Sequence, residues 1–299
     1  MDRSRLKLVL ITIGSVLFVL FVIIPVLFSL FDGPRLGNVA LIPIEGAITG
    51  NGAQGFGTSA VSSKDLVEFI EAAEDNPQVK VLLLEINSPG GSAVASDEVA
   101  AAVKKVDKPV VALIREAGAS GAYWIASASD HIIANRMSIT GSIGVLSSYL
   151  EFSGLMEDYN VTYQRLVAGE NKDMGTPFKK LTEQERTVLQ SKLDTIHQYF
   201  IEEVAINRNL DISRVKVLAT GEFYLGVEAL NFGLVDALGD KDTAEDFIQQ
   251  NYDLEEIDYI VYQHEAGFLE ALAGVFSDFS FHLGEGIGSA LVGQQGVRI

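Results

Sequence analysis

Cysteine is absent from the 299 residues, which excludes a disulfide framework, thiolate catalysis and cysteine-ligated zinc or iron–sulfur centres together. The redox compartment stays open, because a chain without thiols is indifferent to it. Histidine is scarce: His131, His197, His264 and His282 are the only four. Basic residues are few as well, 22 Lys and Arg against 40 Asp and Glu, for a formal net charge of −18. Nucleic-acid phosphates need a basic surface, so no nucleic-acid partner is expected. The acidity reads as a solvated face that helps keep a soluble domain off an anionic membrane surface, except where it is anchored.

What the chain does have is apolar residues, 48% of the total. That fills a core, and the length accommodates one membrane anchor with a single α/β domain, or two small domains. From Leu8 to Phe31 there are 24 residues without a charge. As a helix this run measures about 36 Å, enough to cross a hydrocarbon core of about 30 Å with some tilt. A cleaved secretory signal would have a shorter apolar region ending in a small-x-small site. Here bulky residues and Asp32-Gly33-Pro34 end the run, so a retained transmembrane helix over residues 8–31 is expected. Arg3, Arg5 and Lys7 precede it. Positive-inside logic then places residues 1–7 in the cytoplasm and everything after Asp32 outside, on a single-pass protein of the cell membrane. Residues 32–37 read as a linker, 38–263 as the main domain and 264–299 as a tail. In that tail Phe268, Leu269, Leu272 and Phe276 are spaced as on an amphipathic helix.

Within the main domain, Val39 to Ile48 reads as a strand and Gly50 to Gly57 as a glycine-rich loop. Ser62 and Ser63 offer N-caps to a helix carrying Leu66, Phe69, Ile70 and Ala73 up to Asn76-Pro77. Val79 to Ile86 suits a largely buried strand, Ala93 to Val106 a helix, and Pro109 to Ile114 a second buried strand. Strand, helix, strand, helix, strand implies an α/β fold with parallel strands and helical crossovers. Short strands are expected at His131 to Asn135, Ile143 to Phe152 and Val161 to Val167. Thr182 to Asn207 reads as a long amphipathic helix with Leu189, Leu193, Ile196, Phe200 and Val204 on one face, for core packing or subunit contact.

Such sheets present their sites at the carboxyl ends of strands. Two ends stand out: Asn87-Ser88-Pro89-Gly90-Gly91 and Ala117-Gly118-Ala119-Ser120-Gly121. Ser120 lies among small residues at a strand-to-helix turn, where helix N–H groups and the positive dipole end are available. A nucleophile whose intermediate needs an oxyanion hole suits that place, and so does a plain N-cap serine. Gly90-Gly91 is a turn, or a source of N–H groups beside those of Gly121. Activation of Ser120 needs a base, and none of the histidines has an Asp and a turn arranged as a triad would. A lysine serves if burial leaves its amine neutral near pH 7. Lys172 sits in a glycine-bounded loop, Gly169 to Gly175, where a solvated lysine is the plainer reading.

Taken together, NSPGG at Asn87 to Gly91, ASGAYWIA at Ala119 to Ala126, TGSIGV at Thr140 to Val145 and GENKDMGTP at Gly169 to Pro177 resemble the signal peptide peptidase A family. That is a family of membrane-bound serine–lysine proteases. The stretch Gly221 to Gly239 is similar to its C-terminal block, and the resemblance covers roughly residues 38–250. It implies a fold of the ClpP/crotonase type, Ser120 as nucleophile, Lys172 as general base and Ser142 as the hydroxyl that orients the amine. It implies an oxyanion hole from the N–H groups of Gly91 and Gly121, with no cofactor and no metal. It also implies a ring-like homo-oligomer that degrades cleaved signal peptides and other short or unfolded apolar chains outside the cytoplasm. One departure is Ala122, where the family often has a second glycine after the nucleophile. Two other readings share the fold: a silent peptide-binding membrane scaffold, and a crotonase-type acyl-CoA enzyme with acidic residues in place of Ser120 and Lys172.

Overall fold

The computed structural model describes residues 12–16, 18–23, 37–55 and 58–264. In chain order the first strands are β1 (Val39–Glu45), β2 (Ala47–Thr49), β3 (Ala53–Gly55) and β4 (Thr58–Ser62). Then come α1 (Ser63–Asp75), β5 (Val81–Ser88), α2 (Ala93–Val103), β6 (Val110–Ala119), α3 (Gly121–Ser127), β7 (His131–Ala134) and β8 (Ile139–Gly141). The last group is α4 (Ser153–Asp158), α5 (Glu183–Asn207), α6 (Ile212–Leu218), β9 (Phe223–Leu225), α7 (Gly226–Phe232), β10 (Ala237–Leu238), α8 (Lys241–Tyr252) and β11 (Tyr259–Val261).

The main sheet runs β10-β7-β6-β5-β1-β11, with every neighbouring pair parallel. Alternation of side chains explains why its strands are apolar along their length. Ile42, Ile44, Leu82, Leu84, Ala112 and Ile114 pack on one face with Leu66 and Ile70 of α1, Val99 of α2 and Trp124 of α3. Val39, Leu41, Val81, Leu83, Val111 and Leu113 pack on the other with Ala244 and Ile248 of α8. Helices thus cover both faces, as parallel sheets require. Burying each Leu or Ile contributes roughly 1.5–3 kcal/mol.

β6 positions the site. Its first half pairs with β7 through Ile114, and its last residues, Ala117–Ala119, pair with β8 instead. The β5–β6 register also shifts between Ile86 and Ser88. The strand therefore changes neighbours before it delivers Ser120 at its carboxyl end. On the helix side, Ser62 caps α1 by accepting the Asp65 N–H at 3.3 Å. Lys108 Nζ donates to the carbonyls of Ala73 (2.9 Å) and Asn76 (2.8 Å), satisfying acceptors that the end of α1 leaves open.

Several expectations need correcting. The strand expected over Val39 to Ile48 is two, broken at Gly46 with φ 73°, and β2 leaves the main sheet for a small one ordered β2-β4-β3. The loop expected at Gly50 to Gly57 contains β3, which pairs antiparallel with β4. The helix expected to reach Val106 stops at Val103. Ile143 to Phe152 and Val161 to Val167 are not strands. Past Ile143, whose carbonyl accepts the Gly221 N–H, neither has a neighbouring strand among the described residues, and apolar alternation without a ladder partner does not hold a strand. Leu146, Leu150 and Leu166 are instead 84%, 73% and 96% exposed. The span expected to cross the membrane lies largely outside the described residues; residues 12–16 and 18 are α-helical and Val19–Ile23 π-helical. Among the described residues no helix is long and apolar enough to cross a membrane. The helix expected in the tail, at Phe268 to Phe276, lies outside the described residues.

One histidine makes stability depend on pH. His131 opens β7, stacked on Phe247 at 3.8 Å between ring centroids. Burial holds its imidazole below the ordinary pKa, opposed by Asp236 and assisted by Arg208. As the pH falls, the unfolded chain therefore takes up the proton first. The contribution is intact above about pH 6.5 and is lost as the pH falls below it. Melting temperature should drop from about pH 7 to about pH 5, and His131→Phe should flatten part of that drop. An unchanged slope in the variant would show that His131 is not responsible.

Candidate active site

Ser120 joins β6 to α3 in an unusual conformation, φ 53° and ψ −125°. Few non-glycine residues adopt a positive φ, and those held there by surrounding structure cluster at functional sites. Its backbone is fixed on both sides: Ser120 N–H donates to the Gly141 carbonyl at 2.8 Å, and its own carbonyl accepts from Trp124 N–H at 3.0 Å. The side chain makes no capping bond to α3, unlike Ser62 on α1. The plain N-cap reading of Ser120 therefore does not describe it. A sharp strand-to-helix turn that lifts a serine hydroxyl clear of the backbone is the geometry of a nucleophile elbow.

The turn after β5 lies directly against this one. Gly90 has φ 94°, and a methyl group there would sit 2.6 Å from the Gly121 nitrogen and 2.9 Å from Ser120 Cβ. Gly90 is thus the residue that lets the two turns touch, a role that its place in the sequence does not single out. Gly91 forms a parallel bridge with Ile48. The bonds of that bridge are Ile48 N–H to Gly90 O and Ser92 N–H to Ile48 O, so the N–H of Gly91 itself faces away from Ile48. Gly121 is the first residue of α3, where an N–H has no intrahelical acceptor. A methyl group on Gly121 would lie 3.3 Å from the Gly91 nitrogen, so the two donors are neighbours.

Both glycines line a cleft of about 860 Å³ together with Ser120, Ser142 and Gly221. Its apolar walls are Trp124, Val145, Leu146, Leu193, Ile196 and Phe200. The apolar face of α5 packs into the core as expected through Phe200 and Val204, and over Leu193 to Phe200 it also forms a cleft wall. Ser142 is the second left-handed serine, φ 49°, and its Oγ donates to the Gly221 carbonyl at 3.2 Å. A groove of similar volume between α1 and α2 mixes carboxylates, lysines and apolar residues and contains no serine, threonine or glycine. Among the described residues no group of His, Asp and Glu is placed to hold a metal ion.

Lys172 is not brought to Ser120. It is exposed, its N–H bonded to the Gly169 carbonyl at 3.1 Å, and it is not part of the cleft wall. Its loop is nonetheless well tied. The Asp173 carboxylate accepts two bonds from Arg165, at 2.6 and 2.9 Å, and one from Lys179 at 3.2 Å. Those bonds, the one from Arg165 foremost, hold its carboxyl well below the usual carboxylate range. Lys179 also donates to buried Glu185 at 2.6 Å, which completes the capping box of α5. Of the histidines, His131 pairs in register with Val111 near the start of β6, at the opposite end of the sheet from Ser120. His197 does line the cleft, a position that its place mid-helix does not reveal.

Comparison with known proteins gives the family. The model of "Peptidase family S49" matches residues 102–255. "Putative protease MJ0651" of Methanocaldococcus jannaschii is 32% identical over 90% of this chain and 87% of its own length. "Putative signal peptide peptidase SppA" of Enterococcus faecium is 34% identical over 82% of this chain and 73% of its own. Among solved structures, a point mutant of the "1510-N membrane-bound stomatin-specific protease" superposes with a TM-score of 0.51 at 14% identity, covering 77% of this chain and 99% of that one. That last likeness concerns the fold: parallel strands with helical crossovers. On the family match and the two relatives, this chain belongs to peptidase family S49, the signal peptide peptidase A family, and is a protease.

Proposed function

We propose that the protein is a membrane-anchored serine endopeptidase of ClpP/crotonase-type fold that works through a Ser120–Lys172 dyad. The observation that carries the serine assignment is the strained Ser120 turn abutting the N–H groups of Gly91 and Gly121. In the reaction Ser120 Oγ attacks the scissile carbonyl carbon and its proton passes to the neutral amine of Lys172. The oxyanion is held by the two glycine N–H groups. Collapse breaks the C–N bond, and the amine product takes the proton from Lys172. Water then hydrolyses the acyl-enzyme with Lys172 again as base. The apolar cleft walls favour apolar peptides, and the Enterococcus relative's name points to cleaved signal peptides. Residues 8–31 serve as the anchor, with the catalytic domain outside the cytoplasm.

In this scheme a second copy of this chain brings the exposed Lys172 to Ser120. Lys172 lies in the segment from Leu146 to Phe178, whose apolar residues Leu146, Leu150, Tyr159 and Leu166 are largely exposed. Such a surface is suited to burial against another copy, and a ring in which each copy lends its lysine to the next satisfies both features.

The test is cleavage of an apolar peptide by the full-length chain, by Lys172→Ala, and by a mixture of Lys172→Ala with Ser120→Ala. Lys172→Ala alone should be silent, and the mixture should regain activity. Full activity in Lys172→Ala would remove the lysine from the mechanism. A silent mixture after subunit exchange would place both residues on one copy.

A further inference from the structure

α5 presents one polar group to the cleft among apolar neighbours: His197, between Ile196 and the buried Phe200. His197 Nε2 lies 3.2 Å from the Ile143 carbonyl. A carbonyl only accepts, so this nitrogen is the donor, a role open to the neutral Nε2–H tautomer and to imidazolium alike. The same carbonyl accepts the Gly221 N–H at 3.1 Å. Gly221 O in turn accepts Ser142 Oγ at 3.2 Å, and Glu222 O accepts the Ser142 N–H at 2.9 Å. The segments around Ser142 and Gly221 thereby continue the antiparallel pairing of β8 with β9, in which Gly141 faces Phe223.

Two features make this short ladder a place where an extra tie matters. Ser142 is a non-glycine residue at φ 49°, a conformation that surrounding bonds must hold. Beside it, the Gly141 carbonyl accepts the Ser120 N–H, so any slackening of the turn reaches the nucleophile through one peptide unit. His197 links the ladder to α5, and α5 is itself anchored by buried Phe200, Ile201 and Val204.

We infer that His197 is a positioning residue: it latches the Ser142 turn to α5 and so fixes Ser142 Oγ and the backbone of Ser120 for catalysis. This rests on the proposed role of Ser120, and it concerns the donor at Nε2, not proton transfer by the imidazole. Misplacement of a catalytic group by about 1 Å costs on the order of 10²-fold, so His197→Ala should lower kcat by about 10- to 100-fold with KM nearly unchanged. His197→Gln keeps an N–H donor of similar reach and should recover most of the rate.

The experiment measures kcat and KM of the full-length chain on an apolar peptide for the parent, His197→Ala, His197→Gln, His197→Leu and Ser120→Ala, with the melting temperature of each. Loss in the Ala and Leu variants with recovery in Gln supports the latch. Three results overturn it: parental kcat in all three His197 variants, a change confined to KM, or a loss in Gln as deep as in Ala. The Leu variant fills the imidazole's space without a donor, so it decides the matter should the Ala variant melt. Cleavage surviving in Ser120→Ala would instead remove the serine mechanism, and is read separately from the His197 series.

Discussion

Ser120→Ala should lower kcat for peptide cleavage by at least about 10⁴-fold, the scale on which loss of a serine nucleophile acts, while leaving the melting temperature unchanged. The second half follows from the backbone. Alanine meets the same obstacle at φ 53° as serine does, so the strain stays where it was. Ser120→Gly is the informative companion. Relief of a strained non-glycine conformation returns about 1–3 kcal/mol, less the roughly 0.5–1 kcal/mol that glycine's freer unfolded chain withdraws. The net gain is about 1 kcal/mol at mid-range, so the glycine variant should be as inactive as the alanine one yet melt about 2–4 °C higher. Calorimetry of the three proteins beside their turnover decides it. A glycine variant that melts below the alanine variant would mean that the turn is not strained, and with that the structural case for an elbow at Ser120 weakens. Turnover in either variant would remove Ser120 from the chemistry outright.

How much of this is legible in the sequence depends on how local each signal is. Ser62 as the cap of α1, the buried strands of Val81 to Ile86 and Val110 to Ile114, and the helix from Glu183 to Asn207 all rest on cap chemistry or period within a few residues. Sequence and structure nearly coincide there. The apolar alternation of Ile143 to Phe152 and Val161 to Val167 is just as clear, yet yields no strand. A strand needs a neighbour, and whether one exists is decided by the fold. The site divides in the same way. Glycine pairs at strand ends announce two turns, but not that Gly90 is the point where they touch, because that contact joins residues 30 apart in the chain. His197 escapes notice for a similar reason: at mid-helix its spacing matches a packing face, and only the placement of α5 makes that face a cleft wall. Lys172 is singled out by resemblance, and its exposed position shows why nothing local could single it out.

The second large effect is expected at Gly91. A methyl group there would sit 2.0 Å from the Ile48 carbonyl oxygen and 2.6 Å from the Ile48 nitrogen. Both are backbone atoms of the bridge that orients the Gly91 N–H, so no side-chain rotation relieves the overlap. Gly91→Ala must push the turn off Ile48. Overpacking of this kind costs about 1–3 kcal/mol or more, and losing one oxyanion donor costs about 10²–10³-fold in kcat. Gly121→Ala offers the contrast. Its methyl group would come to 2.1 Å from Ser96 Oγ, a side-chain atom, and 3.1 Å from Ser96 Cβ. Removing that hydroxyl in the double variant Gly121→Ala/Ser96→Ala gives up its bond to the Ser92 carbonyl but leaves only two tight contacts, Ser96 Cβ at 3.1 Å and the Gly91 nitrogen at 3.3 Å, so part of the stability lost in Gly121→Ala should return. No such second change exists for Gly91→Ala, whose obstacle is main chain. Melting temperature and kcat of the three variants test the distinction. If Gly91→Ala keeps parental kcat, the Gly91 N–H does not hold the oxyanion, whatever its stability. If Gly91→Ala loses kcat while its melting temperature holds, the turn has shifted without unfolding and the loss belongs to the displaced donor. The deepest losses of both quantities together are expected at Gly91, because there one backbone contact sets the path of the chain and the aim of the N–H at once.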